Sequence, residues 1–176
     1  MNRRVLTLLL ALLTFLAAPA LRADEPAATA KIDGRAAFEA VKKLAGSWKE
    51  TPPEGGMAGE TRFRVTAAGH TVEEVMFPGT DHEMVNMYHL VGEELVLTHY
   101  CAGGNQPEMK LDTAASSPGN LVFVFTGGTN IDPAKDGHIH GARLVIDGGG
   151  LREEWSSWNE GKAAGTMEFK MVPAGS

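Results

Sequence analysis

The stretch DHEMVNMYHLVGEELVLTHYCAGGNQPEM, Asp81 to Met109, decides how the chain is read. Two alternating runs, Met84–Val91 and Leu95–Cys101, flank Gly92-Glu93, the pattern of an antiparallel hairpin closed by a glycine turn. The stretch holds three of the six histidines, both tyrosines and the single cysteine. Surface hairpins do not need so many polar and soft side chains at strand spacing. A hairpin that lines a cavity does.

Working outward, the same alternation recurs on both sides. Upstream, Ser47–Glu50 opens a strand, Thr51–Gly59 is a Pro/Gly loop, and Glu60–Ala67 and His70–Phe77 are strands separated by Gly69. Downstream, Glu108–Thr113, Leu121–Thr126, His138–Ile146, Leu151–Trp158 and Thr166–Val172 are strands. Gly127–Gly137 and Asn159–Gly165 read as loops between them. Ahead of all these, Ala36–Ala45 predicts a short helix, with Ala37, Phe38, Val41 and Leu44 at helical spacing and Gly46 as its stop. About nine or ten strands with turn signals every 8–12 residues indicate an all-β antiparallel sandwich or barrel. No βαβ alternation supports a parallel sheet.

The N-terminus reads differently. Arg3 and Arg4 precede Val5–Ala18, an apolar run without charge. It is shorter than the ~20 residues that a membrane-spanning helix needs, so it predicts a secretory signal peptide. Cleavage after Ala20 or after Ala23 is compatible with the small residues there. Ala23 is preferred because Asp24 and Glu25 make an acidic mature start. The expected organisation is therefore a signal peptide over 1–23, a flexible lead-in over 24–35 and one barrel domain over 36–173. The expected location is secreted or periplasmic, with no stable membrane anchor after cleavage.

Charge narrows the partners. The formal charge of −6 becomes −9 once Arg3, Arg4 and Arg22 leave with the peptide. So acidic a chain does not suit nucleic acid or anionic membrane, which attract basic patches. Cys101 is the only cysteine, so no disulfide within the chain can hold the fold, and an apolar core must do so.

Leu44-Ala45-Gly46-Ser47-Trp48 after a short helix, followed by an up-and-down strand series, resembles the calycin superfamily. Its lipocalin members carry a Gly-x-Trp at the start of the first strand, and Gly46-Ser47-Trp48 matches that triplet. The nearer resemblance is to bacterial lipocalin-like proteins, through Leu44–Trp48, His82-Glu83-Met84, Tyr88-His89, Leu97–Cys101 and Gly104–Pro107. The resemblance spans Phe38 to Val172. It implies an up-and-down calycin-type β-barrel of about 8–10 strands with one N-terminal helix, and no particular activity. Neither the disulfides common in secreted lipocalins nor their second motif is present. Nitrobindin-like haem barrels are a more distant branch, whose iron is held by a late histidine. His138 or His140 would stand in that place.

Candidate site residues follow from strand parity. Asn86, Tyr88 and His99 can point into a cavity, or His89 and Tyr100 can do so from the alternate face. Asn105 and Gln106 sit in a turn at the barrel rim, and Trp155 shares a face with Leu151, Glu153 and Ser157. His138-Ile139-His140 places two imidazoles on one strand face, roughly 6.5–7 Å apart along the chain. With His99, or His82-Glu83, supplying a third ligand they would form a metal or haem site. The adjacent pairs Glu73-Glu74 and Glu153-Glu154 face opposite sides of their strands, so neither makes a paired acid and base. The leading expectation is binding of a small, partly apolar molecule in the barrel, without catalysis. The alternatives are a metal- or haem-dependent protein and an envelope protein with a filled barrel.

Overall fold

A computed structural model describes residues 30–51 and 59–175. The segment expected to be a signal peptide and its expected cleavage sites lie outside the described residues, as does the middle of the Thr51–Gly59 loop.

The order is one helix and ten strands: α1 (Gly34–Lys42), β1 (Gly46–Glu50), β2 (Glu60–Thr66), β3 (Thr71–Met76), β4 (Met84–Val91), β5 (Glu94–Tyr100), β6 (Gln106–Leu111), β7 (Asn120–Thr129), β8 (His138–Asp147), β9 (Gly150–Asn159) and β10 (Lys162–Pro173). Each strand pairs antiparallel with its neighbours in sequence, and β10 pairs with β1 to close the barrel. The expected all-β, up-and-down barrel with one N-terminal helix is what forms. Closure leaves no full-length sheet edge exposed.

Local chemistry accounts for the places where the elements depart from the expected bounds. The helix starts earlier than expected because Asp33 caps it, its Oδ1 accepting the Ala36 N–H at 2.8 Å, and it ends at Lys42, ahead of the expected Ala45. The ordered fold therefore begins before residue 36, and Ile32 is already buried. Gly34 is required where it stands, since a Cβ there would lie 2.2 Å from the Glu93 carbonyl oxygen. The expected Asn159–Gly165 loop collapses to Glu160-Gly161, both with positive φ, as a two-residue hairpin turn demands. Gly127 and Gly128 extend β7 rather than ending it. A β-bulge at Glu108/Met109 absorbs the register, and at Gly128 the strands approach so closely that a Cβ would meet the Gln106 carbonyl oxygen at 2.5 Å.

Alternating strand direction gives the barrel two different ends. The β2–β3, β4–β5, β6–β7 and β8–β9 turns share one end with α1, which packs on β4 and β5. Ala37, Phe38, Val41 and Leu44 enter the core there. Trp48 lies among them, its indole N–H donating to the Leu44 carbonyl at 2.8 Å. The opposite end carries the loops 77–83, 101–105 and 130–137.

The loop end is also where closure is least complete. Only Trp48, Lys49 and Glu50 of β1 pair with β10, opposite Pro173, Val172 and Met171. Among the described residues, 162–169 of β10 ladder with β9 alone. Met167 stands opposite the inward Trp155, yet it is 48% exposed. Phe169, opposite Glu153, is half-buried against the Phe77 ring, with centroids 5.6 Å apart.

Candidate functional site

The interior is apolar at the helix end and polar in the middle. β3, β4 and β5 each place one polar side chain in the same transverse row. Glu74 pairs with Asn86, and Asn86 with His99. One row nearer the helix, Tyr88 lies between Val72 and Leu97. β9 contributes Glu153 and Trp155 to the same interior. Glu74, Asn86, Tyr88 and Glu153 have no exposed surface, and His99 and Trp155 are 1% exposed.

Three hydrogen bonds tie the group together. The Tyr88 hydroxyl donates to Glu74 Oε2 at 2.7 Å. The Trp155 indole N–H donates to Glu153 Oε2 at 3.1 Å. His99 Nδ1 and Asn86 Oδ1 lie 2.7 Å apart, which makes Nδ1 the protonated nitrogen and leaves a lone pair on Nε2. His99 packs its ring near Trp155, centroids 5.3 Å apart, and Tyr88 meets Phe123 edge-on at 5.9 Å.

Other polar atoms in the group have no fixed partner. Glu74 Oε1, Glu153 Oε1, Asn86 Nδ2 and His99 Nε2 are buried and make no hydrogen bond of good geometry while both carboxyls are ionised. Each such atom costs roughly 1–3 kcal/mol. The two carboxyls come within hydrogen-bonding reach of one another, so a single shared proton relieves part of that cost. Neither forms an ion pair among the described residues.

Electrostatics follow from this burial. Desolvation pushes the Glu74 carboxyl well above its ordinary value, with the hydrogen bond from Tyr88 opposing the shift. Glu153 is raised well above its ordinary value too, driven by desolvation and then by the charge of Glu74. Two like charges in one dry space resist ionising together. Burial also lowers His99 from 6.5 to about 4, so its imidazole is neutral at physiological pH.

Strand parity thus brings Asn86, Tyr88, His99 and Trp155 together, as the first of the two readings of the hairpin faces expects. His89 and Tyr100 point outward: His89 is half-buried and Tyr100 is 48% exposed. They are not part of the interior group. Asn105 is buried near the loop end, where its Nδ2 donates to the Gly137 carbonyl at 2.8 Å. Gln106 clasps two loops, donating to the Gly104 carbonyl at 3.1 Å and accepting from Thr129 Oγ1 at 2.6 Å. Both hold the rim rather than line the middle.

The expected three-histidine metal set is not assembled. His138 Nδ1 donates to the Asp136 carbonyl at 2.8 Å, and His138 Nε2 meets His140 Nδ1 at 3.0 Å. The reason is a bulge between Ile139 and Gly141, which takes His140 out of simple alternation and turns it toward its neighbour. His140 then stacks on Trp158 at 3.9 Å, and both histidine rings contact Phe125. His99 is held by Asn86 instead. Among the described residues no group of three or more His, Cys, Asp or Glu side chains converges as metal ligands require.

Glu74 and Glu153 are the residues that reading the chain overlooked. Each was compared with its sequence neighbour, whereas its partner lies on another strand. A signal was present: Val72-x-Glu74-x-Met76 and Leu151-x-Glu153-x-Trp155 both put a carboxylate on the apolar parity of its strand. Outside, a groove of about 300 Å³ runs past Val124, His140, Arg143 and Glu154, but its charges are already paired, Arg143 with Glu154 at 3.5 Å.

Compared with known protein families and with curated proteins, the chain matches no family model and no protein.

Proposed function

We propose that this chain is an exported, lipocalin-like barrel that binds a small, partly apolar molecule in its interior without reacting with it. One observation carries the reading: the row Glu74–Asn86–His99, with Tyr88, Glu153 and Trp155, leaves four polar atoms without a well-formed hydrogen bond in the middle of a closed barrel. Apolar residues of similar size would fill that space with less cost. Chains keep such groups where something binds them. The surrounding Tyr88, Phe123, Trp155 and Leu97 supply the apolar contact surface. The less completely closed loop end, where Met84, Met167 and Phe169 lie, supplies the way in.

Native mass spectrometry on protein purified from its exporting host tests this. The expected result is a copurified organic mass that leaves on denaturation and is lost in the Trp155→Leu variant. A bare polypeptide that also fails to bind any member of a small-molecule panel overturns the reading.

The filled-barrel alternative has its own support, since the polar group carries almost no exposed surface. It predicts that no small molecule raises the unfolding temperature.

A further inference from the structure

The unpartnered atoms of the interior are unequal in kind. With Nδ1 of His99 protonated toward Asn86, His99 Nε2 is an acceptor. Glu74 Oε1 and Glu153 Oε1 are acceptors as well, with one proton shared between their carboxyls, and Asn86 Nδ2, beside Glu74, is the one donor. All four belong to side chains that are at least nine-tenths buried. No arginine or lysine answers the carboxyls among the described residues. The titratable groups facing the pair are Tyr88 on β4, which already donates to Glu74, and His99 on β5, which is neutral. From β7, β8 and β10 the inward neighbours are Phe123, Leu144 and Phe169, none of which donates. The interior is therefore rich in acceptors and poor in donors, and aromatic faces stand beside it in Trp155 and Tyr88.

We infer that the ligand carries a cationic, N–H-rich head — an amine, amidine or guanidine — that parts Glu74 from Glu153 and takes the place of their shared proton, with His99 Nε2 as a third acceptor. This rests on the interior-binding reading above. A planar amidinium offers donors in the fork arrangement that carboxylates accept. The neighbouring rings add a face for the cation. Binding then replaces the proton shared by the two carboxyls, which passes to the solvent, and the ligand's charge takes over its role. The head reaches the row from the loop end past Met76, Met84 and Met167, unbranched thioethers that repack at low cost.

The test is a titration of the exported protein with three isosteres: benzamidine, benzamide and benzoate. It is run by calorimetry at pH 7 in two buffers of different ionisation enthalpy. The expected order is benzamidine tighter than benzamide by at least about tenfold, with benzoate not binding. Benzamidine binding should release about one proton, and its affinity should rise with pH while the pair is still protonated. Glu74→Gln and Glu153→Gln, which keep shape and hydrogen-bonding capacity, should each lower benzamidine affinity and remove the proton release. Should either variant fail to fold, the isostere order and proton count of the unmodified protein still decide. Binding of benzamide or benzoate in preference, or benzamidine binding without proton release, overturns the cationic head but leaves the interior site standing. Failure of all three, together with no copurified mass, overturns both.

Discussion

Two pairs of adjacent glutamates, Glu73-Glu74 on β3 and Glu153-Glu154 on β9, show what the two faces of this barrel do to one chemical group. On the outer face, Glu73 meets the Arg64 guanidinium at 2.7 Å, and Glu154 pairs with Arg152 and Arg143. These carboxylates are partly hydrated and have cations at hand. One residue along, on the inner face, Glu74 and Glu153 are shut off from solvent, meet no cation among the described residues, and answer each other instead. Outside, arginines answer the carboxylates. Inside, a shared proton does. A single step along a strand moves a side chain between these environments, because successive side chains point to opposite faces.

The largest expected effect comes from the apolar wall of the inner group. Trp155→Ala should cost about 3–5 kcal/mol in urea unfolding, since it opens a cavity and strips Glu153 of its donor. A cost below that of the half-buried, outward Trp158→Ala would break the inside–outside distinction.

Removing a donor from the pair is the next step down. Tyr88→Phe leaves Glu74 Oε2 without its hydroxyl and should lose roughly 1–3 kcal/mol, with the shape of the core unchanged. An unchanged denaturation midpoint would show that the bond contributes nothing net.

Stability against pH sharpens the comparison further. The folded pKa values of Glu74 and Glu153 lie above the ordinary 4.5, so the folded state holds protons that the unfolded chain releases. Their contribution is fully present below about pH 4.5 and is lost as pH rises through the folded values, by ~1.4 kcal/mol per pH unit for each proton retained. His99 runs the other way. Its folded value of about 4 lies below 6.5, so its contribution is present above pH 6.5 and lost as pH falls toward 4. Above pH 6.5 His99 no longer contributes a slope, whereas the carboxyl pair still does. Glu153→Gln should flatten that alkaline decline, and His99→Gln should flatten the acid one. A parallel profile in Glu153→Gln would mean that the pair is not protonated in the folded state.

The smallest effect is expected outside. Glu73→Gln breaks an ion pair with a well-hydrated Arg64 and should change stability by about 0.2–1 kcal/mol, less in high salt. A loss as large as that of Tyr88→Phe would erase the contrast.

How much of this was legible in the chain can be argued from the same residues. The central hairpin is readable because its apolar and polar residues alternate without interruption and Gly92 breaks them once. Met84–Val91 forms over the expected residues. The loop expected before β10 and the early end expected for β7 failed at glycines. A glycine in isolation signals a break, whereas here Gly161 makes a tight turn and Gly128 lets two strands approach. His138 and His140 fit a chelating spacing until a bulge, invisible in the alternation, turned one toward the other.

The sequence by itself determined the strand periodicity, the glycine turns, the helix and the acidic balance, because these depend on residues close together in the chain. It also assigned Asn86, Tyr88 and His99 to one side of their strands. Only the tertiary structure decided which side faces inward, and that Glu74 from β3 meets Glu153 from β9, 79 positions later. Closure of the barrel brings those strands together, and the low-dielectric interior it creates turns two ordinary carboxylates into a proton-sharing pair. No local pattern records that environment, since it exists only once ten strands have excluded the water.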